Sequence, residues 1–208
     1  MARRTKAEAA ATREALLDAA EEMFFDQGVA RTSLEQIARH AGMTRGAVYW
    51  HFKNKADILH ALLDRVHMPF EELIDEIDDP QLAASSPLET IRLASHHALA
   101  RLEQPRHQRV LSIIIHRCEF FGDINPLQMQ EDLARDCYQS LHKHFTRAAE
   151  QGLLVDNLSP AMAAHLLQST LAGLVHDWLH NPEAFSIHRR GCAMVDTLLG
   201  LLQASPSA

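Results

Sequence analysis

Cysteine is scarce in this 208-residue chain. The three present, Cys118, Cys137 and Cys192, are odd in number and widely spaced. That excludes a disulfide framework and a zinc-knuckle pattern, and fits a reducing, cytoplasmic setting. Long apolar runs are missing as well. The longest charge-free stretch, 157–176, still carries Ser159, Pro160, His165, Gln168, Ser169, Thr170 and His176. It is too polar to span a bilayer, and no membrane partner is expected. The opening MARRTKAEAAATREALL is charged and helix-prone, unlike the apolar core of an export signal. No repeat or low-complexity tract occurs. Neither do G-x-S-x-G, a P-loop, a dinucleotide glycine motif or H-E-x-x-H. No catalytic residue, cofactor or resident metal is therefore expected.

Hydrophobic residues make up 47% and charged residues 23%, an ordinary soluble composition. The net charge of -7 is unevenly placed. Residues 1–67 hold ten basic and nine acidic side chains, a net of +1, and residues 68–208 hold ten and eighteen, a net of -8. Within 28–60 there are five basic side chains and two acidic ones. An acidic chain with a basic front is the asymmetry of a protein in which one part meets phosphate and the other does not. A chance fluctuation is the plainer alternative.

The apolar periodicity is helical almost throughout, which predicts an all-α fold of nine helices. Leu16, Leu17, Ala20, Phe24 and Phe25 stripe a helix over about 5–27, with Gly28 as its C-cap. Ser33 and Gln36 fit a capping box for a short second helix, which Gly42 ends. Thr44 caps a third through about Trp50, and Asn54 a fourth that continues to about Ile77 with a kink or break at Pro69. A loop covers 78–87. Further helices are expected over 88–103, 106–120, 125–151, 159–180 and 187–203. The run VLSIII (110–115) is the one stretch with a strand-like alternative. The division expected is residues 1–55 and 56–208.

Residues 33–51, SLEQIARHAGMTRGAVYWH, have helix-turn-helix grammar. Two helices too short to stand alone are joined at Gly42, and Ala38 and Ala47 are small where such helices cross. The second helix of such a pair lies in the major groove. Its outward candidates are Thr44, Arg45, Gly46, Tyr49 and His51. Arg45 suits guanine O6 and N7, and Gly46 permits close approach. Thr44, Tyr49, His51 and Lys55, with Thr32 and Ser33 one helix earlier, suit phosphate. The competing readings are a solvated charge for Arg45 and core aromatics for Tyr49, Trp50 and Phe52.

These residues resemble a known family. Phe24–Gly28 (F-x-x-x-G), Thr32–Ala38 (T-S-L-x-x-I-A) and Ala41–Lys55 (A-G-M-T-R-G-A-V-Y-W-H-F-K-N-K) are similar to the DNA-binding region of TetR-family repressors. The opening R-R-T-K-x-E-A, the phrase R-G-A-V-Y-W-H-F, IIIHRCEF (113–120) and GLVHDWLHNPEAF (173–185) resemble the subgroup that represses multidrug efflux pump operons. The resemblance implies a ligand-responsive repressor on a palindromic operator of double-stranded DNA. It also implies a homodimer joined through the last two long helices. There Leu166, Leu167, Thr170, Leu174, Trp178, Val195, Leu198, Leu199 and Leu202 are the interface candidates, with intramolecular core as the alternative.

It implies, too, a pocket for a small hydrophobic or cationic inducer. The candidates are Leu93, Ile113, His116, Cys118, Glu119, Phe120, Met129, Cys137, Leu141, Leu171, Val175 and Asp177. Three alternatives stay open. One is a repressor of the same fold that answers to a lipid or other metabolite. Another is a dimeric ligand-binding protein that no longer reads DNA. The third is a role for His116, Cys118 and Glu119 in metal binding, or for Cys118 or Cys137 in redox sensing.

Overall fold

The computed structural model describes residues 6–76, 86–119, 122 and 124–204. Ten α-helices run through them: α1 (Lys6–Gln27), α2 (Leu34–His40), α3 (Arg45–His51), α4 (Lys55–Asp64), α5 (Phe70–Asp75), α6 (Pro87–Leu102), α7 (Pro105–Ser112), α8 (Pro126–Glu150), α9 (Pro160–His180) and α10 (Ile187–Leu202). A π-helical turn, Ile113–Arg117, continues α7, so the strand-like run is helical. The tenth helix arises because the fourth expected helix is broken. Pro69 has no N–H and biases Met68 away from helical backbone. α4 therefore ends at Asp64, and α5 starts afresh after Pro69. Most of the loop expected over 78–87 lies outside the described residues, and Ser86 caps α6.

The chain divides into two compact units. The first is Met1–His67 with Arg106–Gln130, the second Met68–Pro105 with Glu131–Ala208. This moves the division expected at 55/56. The α1 stripe of Leu16, Leu17, Ala20 and Phe24 needs more cover than two seven-residue helices supply. Ile58, Leu59, Leu62 and Val66 of the α4 segment provide part of it, and Val110, Ile113, Ile114, Ile124 and Met129 provide the rest. The π turn also accepts a backbone bond, Val29 N–H to Arg117 O at 3.2 Å.

Among the described residues of the first unit one carboxylate is buried. Glu21 on α1 is 1% exposed. Arg109 lies 2.7 Å from it, Arg106 3.4 Å and Arg65 3.9 Å. A buried charge without partners costs several kcal/mol, on the order of 3–5 when one partner is removed, so the three arginines are what permit Glu21 there. Arg65 also reaches Asp18 at 2.8 Å, which fastens the end of α4 to α1.

In the second unit α6 lies close against α10 because position 191 is glycine. A Cβ there would stand 2.7 Å from Leu99 Cδ2 and 2.9 Å from Leu174 Cδ2. Both leucines are buried, with Phe145, Leu167, Trp178 and Val195 also in the interior. α5 is held on α8 by Lys143 Nζ donating to Glu71 Oε1 at 3.1 Å and by Phe70 against the His144 ring at 5.0 Å. Burial, aided by nearby Arg147 and Lys143 and opposed by Glu71, holds His144 below the usual histidine pKa.

Candidate nucleic-acid interface

Local chemistry sets each short helix of the first unit. Ser33 Oγ accepts from Gln36 N–H at 3.2 Å, and Gln36 Oε1 accepts from Ser33 N–H at 2.7 Å, the reciprocal capping box. The turn that follows uses Gly42 at φ +68°, a left-handed backbone that favours glycine. Thr44 Oγ1 then accepts from Ala47 N–H at 3.3 Å, and Asn54 Oδ1 from Asp57 N–H at 2.9 Å.

Val48 and Phe52 point inward and fix the roll of α3. The opposite face is left to solvent. It carries Arg45, whose side chain is 75% exposed, with Gly46, Tyr49 at 44% and Trp50 at 72%. A Cβ on Gly46 would meet nothing nearer than Thr44 Oγ1 at 3.9 Å, so packing within the chain does not require glycine there. Thr44 is exposed beside them, while His51 is half-buried with its ring 4.5 Å from that of Trp50.

Two expected phosphate donors have duties inside the fold. Thr32 is buried and its Oγ1 donates to Gly28 O at 2.8 Å. Lys55 Nζ donates to Val29 O at 2.7 Å and Ala30 O at 3.4 Å, fastening α4 to the α1–α2 turn. Burial lowers its pKa. An open groove of about 490 Å³ nevertheless gathers Thr32, Ser33, Tyr49 and Lys55 with Arg31, Glu35 and Lys53. Exposed Arg31 and Lys53 bring positive charge that the motif reading passed over. Trp50, for which a core place is the sequence alternative, is exposed instead, and its position four residues after Gly46 puts it on Gly46's face.

The acidic member of that groove is engaged. Glu35 Oε1 accepts the Tyr49 hydroxyl at 2.8 Å and lies 3.3 Å from Arg45 Nε. The Arg45 guanidinium carbon is 5.4 Å from the centre of the Tyr49 ring.

The interface candidates on α9 and α10 separate into two groups. Leu167, Leu174, Trp178, Val195, Leu199 and Leu202 are buried within the chain itself and form its interior. Leu166, Thr170 and Leu198 keep accessible surface. Met162, Met194 and Leu201, the last 71% exposed, extend that apolar surface.

The inducer candidates are likewise dispersed. Ile113 and Met129 are core residues of the first unit, used to cover α1 and α4. His116 and Glu119 are exposed and Cys118 half-buried in the same unit. In the second unit Leu141 is buried, Asp177 is exposed, and Leu93, Cys137, Leu171 and Val175 are half-buried. Phe120 lies outside the described residues. Burial pushes the Cys118 and Cys137 thiols up to about 11. Both are thus thiols at neutral pH, which disfavours a redox role that needs thiolate. Among the described residues no helix is long and apolar enough to cross a membrane.

Comparison with known proteins bears on both parts of the chain. Residues 16–62 match the bacterial regulatory proteins of the tetR family, and residues 86–204 match the C-terminal region of MAATS-type transcriptional repressors. The HTH-type transcriptional regulator TtgR of Pseudomonas putida is 36% identical over 215 residues, covering 100% of this chain and 99% of the relative. The crystal structure of NalD, the secondary repressor of the MexAB-OprM multidrug efflux pump in Pseudomonas aeruginosa, is similar at a TM-score of 0.83 and 32% identity, covering 97% of this chain and 100% of that one. SmeT, the repressor of the Stenotrophomonas maltophilia multidrug efflux pump SmeDEF, is similar in its complex with triclosan, with a TM-score of 0.80, 36% identity and 94% and 93% coverage. With whole-length relatives above 30% identity and family matches over both parts, the chain belongs to the TetR family of homodimeric helix-turn-helix transcriptional repressors and is not an enzyme.

Proposed function

We propose that this protein represses a multidrug efflux pump operon by binding a palindromic operator through α3 and is released by an apolar or cationic drug-like molecule. The observation that carries the reading is the outward face of α3. Arg45, Gly46, Tyr49 and Trp50 lie on it in a chain that is similar over 97% of its length to a repressor of a multidrug efflux pump. Exposing a tryptophan is unfavourable in a free protein and useful in one that docks.

Arg45 meets a guanine edge, and Gly46 lets the helix approach. Thr44, Tyr49 and the indole N–H of Trp50 take phosphate, with Ser33, Arg31 and Lys53 beside them. His51 supports Trp50 from the flank. Two copies related by a two-fold axis read two half-sites. The contact between copies falls to the accessible apolar side chains Met162, Leu166, Met194, Leu198 and Leu201 of α9 and α10, with Thr170 beside them.

The inducer is taken by the second unit, with the half-buried side chains of Leu93, Cys137, Leu171 and Val175 as its apolar contacts. It acts by preferring the arrangement of the dimer that does not fit the operator. Triclosan, bound by SmeT, is the natural first probe.

The experiment is fluorescence polarisation on duplexes chosen by the protein from a random pool, and on the region upstream of its own gene. Adding triclosan or a cationic dye should release the chosen duplex and leave binding to random DNA unaffected. Release only by a lipid extracted from the purified protein would transfer the reading to a metabolite-responsive repressor. No preference for any duplex would overturn operator binding itself.

A further inference from the structure

Glu35 stands out on the reading face because a carboxylate there opposes the approach of a polyanion. It belongs to α2, yet it faces α3. Its Oε1 accepts the Tyr49 hydroxyl and pairs with Arg45 Nε, and those two side chains lie against each other. One carboxylate oxygen therefore holds two of the side chains assigned to DNA.

The pair adds little to the fold. Exposed ion pairs contribute marginally to stability, and α2 is already capped by Ser33 and Gln36. Its effect falls instead on Arg45. An arginine with most of its side chain in solvent samples many rotamers, and ordering it on DNA has an entropic cost. The ion pair at Nε favours the rotamers that keep the guanidinium beside Glu35, and it leaves the two terminal nitrogens to meet a base end-on.

Given α3 as the base-reading helix, we propose that Glu35 is a positioning residue for sequence selection. It pre-orients Arg45 and Tyr49, and its charge penalises DNA that offers Arg45 no guanine. On the cognate sequence Arg45 makes its base contacts from the orientation already held. On any other duplex the carboxylate repels phosphate without that return. The same hydrogen bond holds the Glu35 carboxyl below its usual pKa range and raises that of Tyr49, so acceptor and donor both persist near neutral pH.

The test is a double-mutant cycle. Glu35→Ala, Glu35→Gln, Arg45→Ala and the Glu35→Ala/Arg45→Ala pair are titrated against the duplex that the wild-type protein selects from a random pool. Random duplex of equal length is the control, and thermal unfolding is followed in parallel. Glu35→Ala should weaken the selected duplex about tenfold while random DNA binds as well as before or better. In the Arg45→Ala background the same substitution should change the selected duplex by less than about twofold. Glu35→Gln keeps an acceptor and should recover part of the selected-duplex affinity, while binding random DNA as tightly as Glu35→Ala does.

Equal losses in both backgrounds, or losses that follow the unfolding midpoint, would show a structural role and overturn the proposal. So would an unchanged selected duplex in Glu35→Ala. A selective wild-type protein with an indifferent Glu35→Ala overturns this proposal alone. A wild-type protein that selects nothing removes the reading of α3, and the proposal with it.

Discussion

The chain has two tryptophans, one in each unit, and the units use them in opposite ways. Trp178 on α9 is 3% exposed, and Trp50 on α3 is 72% exposed. The first is the ordinary fate of a large apolar ring. The second leaves that ring in water on a helix that buries only Val48. The difference separates side chains that hold the molecule together from side chains directed at something outside it. The first unit keeps these roles apart on one short helix, and the second spends most of its large apolar side chains on itself.

Replacing each tryptophan tests the contrast where the effect is greatest. Trp178→Ala should lower unfolding stability by about 3–5 kcal/mol, because it empties a packed interior; urea unfolding measures it. Trp50→Ala should leave the urea midpoint unchanged to within about 0.5 kcal/mol. Affinity for the selected duplex should fall about tenfold, the loss of one hydrogen bond to a charged group. Matching stability losses at both positions would break the contrast.

Two glycines sharpen it at smaller magnitude. Gly191→Val forces buried Leu99 and Leu174 aside and should cost about 1–3 kcal/mol. Gly46→Ala has room for its methyl group and should raise stability by about 0.5–1 kcal/mol, since alanine suits a helix better. The same methyl should weaken binding to the selected duplex. A Gly46→Ala protein that is both more stable and equally tight on DNA would show that close approach is not needed.

The smallest expected effect is a pH dependence in the second unit. Folded His144 titrates below its unfolded value of about 6.5. Between the two values the unfolded chain binds more protons, so stability rises with pH through that window and is lost on acidification. Above the window His144 contributes no slope. Urea midpoints at about pH 7.5 and about pH 5.5 should differ less in His144→Gln than in the wild-type protein. An equal difference would assign the slope elsewhere.

Features set by a few adjacent residues were legible in the sequence. The caps Ser33, Thr44 and Asn54 and the glycine turns at Gly28 and Gly42 stand where the spacing puts them, because each depends on bonds that reach only a few residues along the chain. The boundary between units was not legible. Val110, Ile113 and Met129 return to α1 from far along the chain, and no local pattern records that return.

The faces of α9 and α10 were equally opaque. Both helices carry apolar stripes on more than one side, and helical spacing is the same whether a stripe meets its own chain or another. Leu167 and Leu174 therefore looked no different from Leu166 and Met162. Lys55 and Thr32 looked like phosphate donors because residue type does not reveal a backbone carbonyl waiting 2.7 or 2.8 Å away. A capping box announces itself, whereas a side chain's tertiary partner does not.

Sequence reading by the exposed face of α3 is the point on which the rest depends. Arg45→Ala, titrated against the selected duplex and against random duplex of equal length, probes it at a single side chain. A loss of about 1–3 kcal/mol is expected on the selected duplex, with random DNA held nearly as before and unfolding unchanged. Equal weakening on both duplexes would make Arg45 a phosphate contact and refute sequence reading from this face.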